Sequence, residues 1–61
     1  MYVVTLNHKG NTFWLRSTIW TADQTRAQQF ESEEAARTQL AKAKKFMRVA
    51  QFNAAQIREV P

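Results

Sequence analysis

The stretch YVVTLNHKGNTFWLRS, residues 2 to 17, decides the fold because it joins two strand-forming runs through a turn. Tyr2 to Leu6 and Thr12 to Ser17 are rich in the β-branched and aromatic residues that favour strands. Asn7 to Asn11 separates the two runs and contains Gly10, the only glycine of the chain. Glycine readily adopts the left-handed conformation that follows a type I turn in longer hairpin loops. The sequence therefore predicts a β-hairpin with a glycine bulge.

Pairing Asn7 with Asn11 assigns the strand side chains to two faces, because alternate residues of a strand point to opposite sides of a sheet. One face then carries Tyr2, Val4, Leu6, Trp14 and Arg16, and the other carries Val3, Thr5, Phe13 and Leu15. Both faces are largely apolar. A single helix covers only one of them completely, so we expect the other to be left partly open or to be covered by the connecting segment.

The helix that packs on this hairpin is predicted from Ser32 to about Met47 or Arg48. Ser32 is an expected N-cap, and the two glutamates after it suit the positive end of the helix dipole. The apolar stripe repeats at offsets of four, seven and eleven residues, and Phe46 widens it on one side. The stripe residues are Ala36, Leu40, Ala43 and Met47.

The remaining segments complete one domain, residues 1–61. Thr21 or Asp23 is expected to cap a short helical turn through Ala27, with Trp20 and Phe30 as anchors at the two ends of this connection. Residues 51–54 are expected to form a polar connection, and residues 56–60 a last strand. The order ββαβ predicts an α+β fold in which a small antiparallel sheet, the hairpin plus the C-terminal strand, packs against one α-helix.

Composition argues against an enzyme, a metal centre or a cofactor. The 61 residues include no cysteine and a single histidine, His8, which is expected in the solvated hairpin turn. Glu33 and Glu34 point about 100° apart on a helix, which does not suit a paired acid and base. No membrane span or signal peptide is recognisable, so we expect a cytoplasmic protein. The net charge of +4 favours an anionic partner, although it also confers solubility.

A basic ridge is the first candidate site. At 100° per residue, Arg37, Lys44 and Arg48 fall in one sector of the predicted helix, whereas Lys42 and Lys45 point elsewhere. This ridge would bind the phosphate backbone of a nucleic acid. The alternative interpretation is that bases in the last turn of a helix simply complement its dipole and cover the edge of the core.

An aromatic sheet face is the second candidate, and it predicts a protein partner. Tyr2, Trp14 and Trp20, with Arg16 at the edge, are residues of the kind that dominate protein interfaces. A patch of a few hundred Å² left open on a small protein would mark a binding or self-association site, so a homodimer is one form of this hypothesis. The competing interpretation is that Trp20 and the loop fold back and bury the patch.

One resemblance bears on the partner. The pattern Trp20-Thr21-x-Asp23-x-x-x-Ala27-x-x-Phe30-x-Ser32-x-Glu34-Ala35 follows a YVV-type strand and a glycine turn and precedes the short strand AAQIREV. It resembles a group of small phage and prophage proteins over nearly the whole chain. The resemblance implies a non-enzymatic phage-type accessory protein that binds a host or phage protein and modulates it in the host cytoplasm, and it defines no catalytic residues.

Overall fold

The hairpin closes through a two-residue turn. In the computed structural model, which describes all 61 residues, β1 (Tyr2–His8) pairs antiparallel with β2 (Asn11–Arg16), and His8 lies opposite Asn11. Lys9 and Gly10 form the turn with φ angles of 52° and 81°. Positive φ at both central residues is typical of a type I′ turn, whose twist matches that of the strands. The hairpin prediction is confirmed, but the predicted glycine bulge, with Asn7 paired to Asn11, is wrong.

The shorter turn moves the register by one residue and changes the faces. Asn7 pairs with Thr12 and not with Asn11, so Thr5 lies opposite Trp14 and Leu6 lies opposite Phe13. Because residues directly opposite each other share a face, Trp14 leaves the side of the sheet that carries Val4 and Leu6. The predicted grouping of Tyr2 with Trp14 and Arg16 is therefore wrong.

Replacing Gly10 with valine is expected to destabilise the hairpin. A Cβ at this position would meet no atom within 4 Å, so the cost comes from the backbone angle and not from a clash. The left-handed region costs a β-branched residue about 1–2 kcal/mol or more, which corresponds to a melting temperature lower by at least about 4 °C. Gly10→Asn is the matched control, because asparagine tolerates positive φ and should lower the melting temperature less. Equal thermal melts for Gly10→Val and the parent chain would contradict the turn.

Two further strands widen the hairpin into a four-stranded antiparallel sheet. The strand β3 (Ile19–Thr21) pairs with β2, and β4 (Gln56–Glu59) pairs with β1, which gives the order β3-β2-β1-β4. The sequence did not predict β3, because Ser17-Thr18 lacks the glycine or asparagine that usually marks a tight turn. Ser17 nevertheless adopts a left-handed conformation, with φ of 57°, and two hydrogen bonds of its backbone hold it there. Its N–H donates to Gln28 Oε1 at 2.8 Å, and its carbonyl accepts from Gln39 Nε2 at 2.9 Å.

The segment after β3 returns the chain to the core. Asp23 caps a 3-10 turn at Gln24–Arg26, as predicted, by accepting hydrogen bonds from the hydroxyl and the backbone N–H of Thr25. These bonds, with a smaller contribution from Arg26, hold the pKa of Asp23 below its ordinary value of 3.8. Phe30 then exchanges two backbone hydrogen bonds of 2.8 Å with Tyr2 and is buried, so its predicted role as an anchor is confirmed.

The first helix, α1 (Glu33–Ala43), covers the Val4 side of the sheet. The Ser32 hydroxyl accepts a hydrogen bond from the backbone N–H of Ala35, which confirms the predicted N-cap. The predicted stripe is also confirmed, since its first three residues are buried and Met47 packs against them. The core cluster consists of Val4, Leu15, Phe30, Ala36, Leu40 and Ala43.

The predicted end of the helix is wrong. The α-helix stops at Ala43, a 3-10 turn follows at Lys44–Phe46, and Met47 is extended with φ of −137°. A second helix, α2 (Val49–Ala54), then occupies the segment expected to be a connection. The bend lets Phe52 and Ala55 pack against the core and brings the chain back to β4. Phe46 consequently leaves the stripe and is 62% exposed, contrary to prediction.

The α+β fold class predicted from the sequence is confirmed, with β3 and α2 as additions to the expected ββαβ order. Both helices pack on the same side of the sheet as Val4 and Leu15. Neither helix has the length or the apolar character needed to cross a lipid bilayer.

Candidate functional site

The four residues of the predicted aromatic face divide between the two sides of the sheet. Trp20 lies opposite Leu15 and packs, like Tyr2, against the core cluster under the helices. Trp14 lies opposite Thr5 on the other side. Arg16 lies two residues further along β2, on the same side as Trp14, and is exposed. The structure thus brings Trp14 and Arg16 together and separates them from Tyr2 and Trp20.

The side of the sheet that the helices leave free is partly closed by its own neighbours. Gln24, from the 3-10 turn after β3, borders a shallow depression together with Trp14 and Arg58. Val3 and Thr5 form the floor of this depression and are only 4% and 6% exposed. Trp14 is half-buried. The large exposed aromatic patch that the sequence suggested is therefore absent. The connecting loop borders this side through its 3-10 turn, as the competing interpretation expected, whereas Trp20 lies on the other side.

Exposed apolar side chains concentrate elsewhere. The large ones are Met1, Ile19, Phe46 and Val49. Two of these four flank the bend between α1 and α2, where Phe46 is 62% and Val49 66% exposed. Ile19, 61% exposed, stands alone on the edge strand β3. The bend is consequently the place where exposed apolar surface occurs together with a high local charge.

The predicted basic ridge is not continuous. Arg37 is engaged by Glu33, with 2.8 Å between Nη2 and Oε1, and lines a depression with Leu40 and Phe52. Lys44 lies at the start of the 3-10 turn, with its Nζ 4.8 Å from the centre of the Phe52 ring. Arg48 immediately precedes α2, and its backbone N–H donates to Gln51 Oε1 at 3.1 Å. Lys44 and Arg48 therefore share the bend, whereas Arg37 lies about two helical turns earlier on α1 and is paired with Glu33.

Lys42 and Lys45, which the helical wheel placed outside the predicted ridge, lie beside Lys44 at the bend. Lys42, Lys44 and Lys45 line one depression together with Ala41 and Val49. Lys42 is in the last turn of α1 and Lys45 is in the 3-10 turn, and side chains three residues apart along a helix lie on the same side of it. The prediction that these two lysines point away is wrong. We call the surface formed by Lys42, Lys44, Lys45, Phe46, Arg48 and Val49 the basic corner.

None of the four cations of the basic corner is used in an ion pair. The two salt bridges of the chain are Arg26 with Asp23 and Arg37 with Glu33. All four cationic side chains are exposed. Between Ala35 and Arg58 the chain has six basic residues and no carboxylate, so the corner has no acidic neighbour in sequence. These charges are available to an anionic partner.

The side chains that catalysis or metal binding would require do not lie together. His8 is exposed at the end of β1, and no three histidine, aspartate or glutamate side chains converge. Ser17 is held through its backbone, and Ser32 caps α1. The one side-chain polar atom that is buried without a partner is the indole nitrogen of Trp20, a hydrogen-bond donor within the packed core.

Comparison of the chain with protein-family models, with curated proteins and with solved structures gave no match.

Proposed function

We propose that this protein is a non-enzymatic module that binds nucleic acid through the basic corner. The observation that carries the proposal is that four exposed, unpaired cations lie within seven residues, Lys42 to Arg48, and that three of them line one depression. A cluster of this kind matches the repeated negative charge of a phosphate backbone, and releasing condensed counterions on contact favours binding. Of the predicted ridge, Lys44 and Arg48 are retained in this surface.

The charges of α1 are separated along its axis. Glu33 and Glu34 occupy the first turn, and the basic corner begins at Lys42 near the last turn. With a rise of about 1.5 Å per residue, roughly 15 Å separates the glutamates from Lys44. This distance exceeds the screening length of about 8 Å at physiological ionic strength. The acidic end therefore weakens the positive potential at the corner only slightly.

Helix stabilisation accounts for only part of the cluster. A cation in the last turn interacts favourably with the helix dipole, and this explains Lys42. The contact of Lys44 with the Phe52 ring also has a structural benefit. Lys45 and Arg48 lie beyond α1 and make no ion pair. Lys45 does lie within cation–π distance of Phe46, but that ring is itself exposed, so the contact does not pack it into the core. An anionic partner therefore accounts for Lys45 and Arg48 better than stabilisation of the fold does.

The test is the salt dependence of oligonucleotide binding. If three or four phosphates are neutralised, affinity for a single strand should fall roughly 20- to 50-fold between about 50 and 200 mM salt. Fluorescence anisotropy of a labelled oligonucleotide, titrated with the full chain at several salt concentrations, measures this slope. Absence of binding at about 50 mM salt, or affinity that does not respond to salt, would contradict the proposal.

A protein partner is the second candidate, and the observation that favours it is the β2–β3 end of the sheet. Ile19 is 61% exposed on a three-residue edge strand, and Arg16, its partner in the ladder, is exposed beside it. An edge strand presents unpaired backbone groups that a second chain is able to pair with. The partner would be a host or phage protein, or a second copy of this chain. Such binding would be nearly independent of salt and would weaken on replacing Trp14 or Arg16.

A further inference from the structure

Phe46 is the one phenylalanine of the four that the fold leaves exposed. Phe30 is buried, and Phe13 and Phe52 are half-buried. A single exposed apolar residue is ordinary on a protein surface, but Phe46 is accompanied by Val49, which is also exposed. The position of this pair in the middle of the basic corner is the feature that calls for an explanation.

One cation contacts the Phe46 ring, and two more lie close to it in the chain. The Nζ of Lys45 lies 5.2 Å from its centre, within the range of a cation–π contact. Lys44 belongs to the same 3-10 turn, and Arg48 follows two residues later. An exposed aromatic ring with cations next to it is the combination that proteins use to hold single strands, in which a base stacks on the ring and the charges follow the phosphates.

We infer that the basic corner takes single-stranded nucleic acid, with an unpaired base stacked on Phe46 and the adjoining phosphates held by the lysines. This inference rests on the proposed function and specifies its ligand. In a duplex, each base already stacks on its neighbours, so the ring would find no free base face. The exposed aromatic side chain therefore adds affinity only when the bases are unpaired.

The charge pattern of α1 also disfavours a duplex. A helix that lies in the major groove passes between two phosphate backbones. The first turn of α1 carries Glu33 and Glu34, and Glu31 precedes it, so that end of the helix would be repelled by phosphates. The six-residue α2 packs Phe52 against the core. Neither helix presents a long positive face, whereas a short contact with a few phosphates requires only the corner.

An anionic membrane is a less suitable occupant for the same residues. Helices that lie on a membrane surface present a large apolar face beside their charged one. Here the exposed apolar surface at the corner is limited to Phe46, in a 3-10 turn, and Val49, the first residue of a short helix. Two side chains give little area for insertion into the acyl region.

The experiment compares three probes and four proteins. The probes are a labelled oligothymidylate of roughly 12 nucleotides, a duplex of the same length, and vesicles containing phosphatidylserine. The proteins are the parent chain, Phe46→Ala, Phe46→Tyr and Ile19→Ala. Phe46→Tyr preserves an aromatic face, and Ile19→Ala removes an equally exposed apolar side chain far from the corner. Circular dichroism checks that each variant is folded.

The parent chain should bind the single strand more tightly than the duplex. Phe46→Ala should weaken single-strand binding roughly 5- to 150-fold without changing the salt slope, because phosphate contacts are retained. Phe46→Tyr and Ile19→Ala should bind as the parent chain does. Equal affinity for the duplex and the single strand would overturn the inference, as would an unchanged single-strand affinity of Phe46→Ala. In either case, binding that is sensitive to salt would still support the proposed function. Salt-sensitive binding of neither oligonucleotide, or binding of the vesicles alone, would overturn both.

Discussion

Replacing Leu40 with alanine is expected to lower the free energy of unfolding by about 2–5 kcal/mol. Leu40 is 8% exposed and packs from α1 into the same cluster as Val4, Leu15 and Phe30. Removing its side chain loses buried apolar area and leaves a cavity that the sheet is unable to fill. A domain of this size has a total stability of roughly 3–9 kcal/mol. The substitution should therefore remove a large part of the stability of the domain.

Urea unfolding followed by circular dichroism measures this loss. Leu40→Met approximately preserves the volume and should cost less than about 1.5 kcal/mol. Thr38→Ala changes an exposed position of the same helix and should alter stability by no more than about 0.5 kcal/mol. If Leu40→Ala unfolded at the same urea concentration as Thr38→Ala, then α1 would have to pack through a different face.

The helix start and the core stripe could be predicted because they depend on local and periodic signals. A hydroxyl before two glutamates specifies an N-cap, and apolar residues spaced by about 3.6 specify one face of a helix. Ser32, Leu40 and Phe30 consequently lie where the sequence placed them. The end of the helix lacked such a signal, because no glycine or proline lies near Ala43. The bend there is set by the need to return the chain to β4.

The register of the hairpin shows why the candidate aromatic face was misassigned. Gly10 fits both the predicted loop of residues 8–10 with a glycine bulge and the observed two-residue type I′ turn, in which Lys9 also adopts a positive φ. A difference of one residue in register moves every side chain of a strand to the other face. The sequence thus identified Trp14 as exceptional but did not determine which residues share its side of the sheet.

The basic corner was only partly predictable, for a related reason. A helical wheel assumes 100° between successive residues, and this spacing fails where α1 gives way to the 3-10 turn. Lys44 and Arg48 were identified, whereas Lys42, Lys45 and Phe46 were not. The signal that was present is compositional: five basic residues and no acidic residue between Ala35 and Arg48. The local charge composition therefore located the basic corner better than the helical-wheel angles did.

The second large effect is expected on replacing Lys42, Lys44 and Lys45 together with glutamine. Only Arg48 would remain to neutralise a phosphate at the corner. With one contact in place of three or four, affinity for a single strand should change only about 3-fold between about 50 and 200 mM salt. The slope of log affinity against log salt should become less steep by about 2, because each lost phosphate contact removes about 0.7. Anisotropy titrations of the parent and the triple variant at matched salt concentrations measure the difference.

Net charge alone would also weaken binding, so the control must change the charge by the same amount at another place. Replacing Lys9, Arg16 and Arg58 with glutamine lowers the net charge from +4 to +1, as the first triple variant does, and all three side chains are exposed and outside the corner. A phosphate contact is a short-range interaction, whereas distant exposed charges are screened. The control should therefore retain most of the salt slope of the parent chain. If both triple variants lost the slope equally, the anion would be attracted by the protein as a whole, and the basic corner would have no special role.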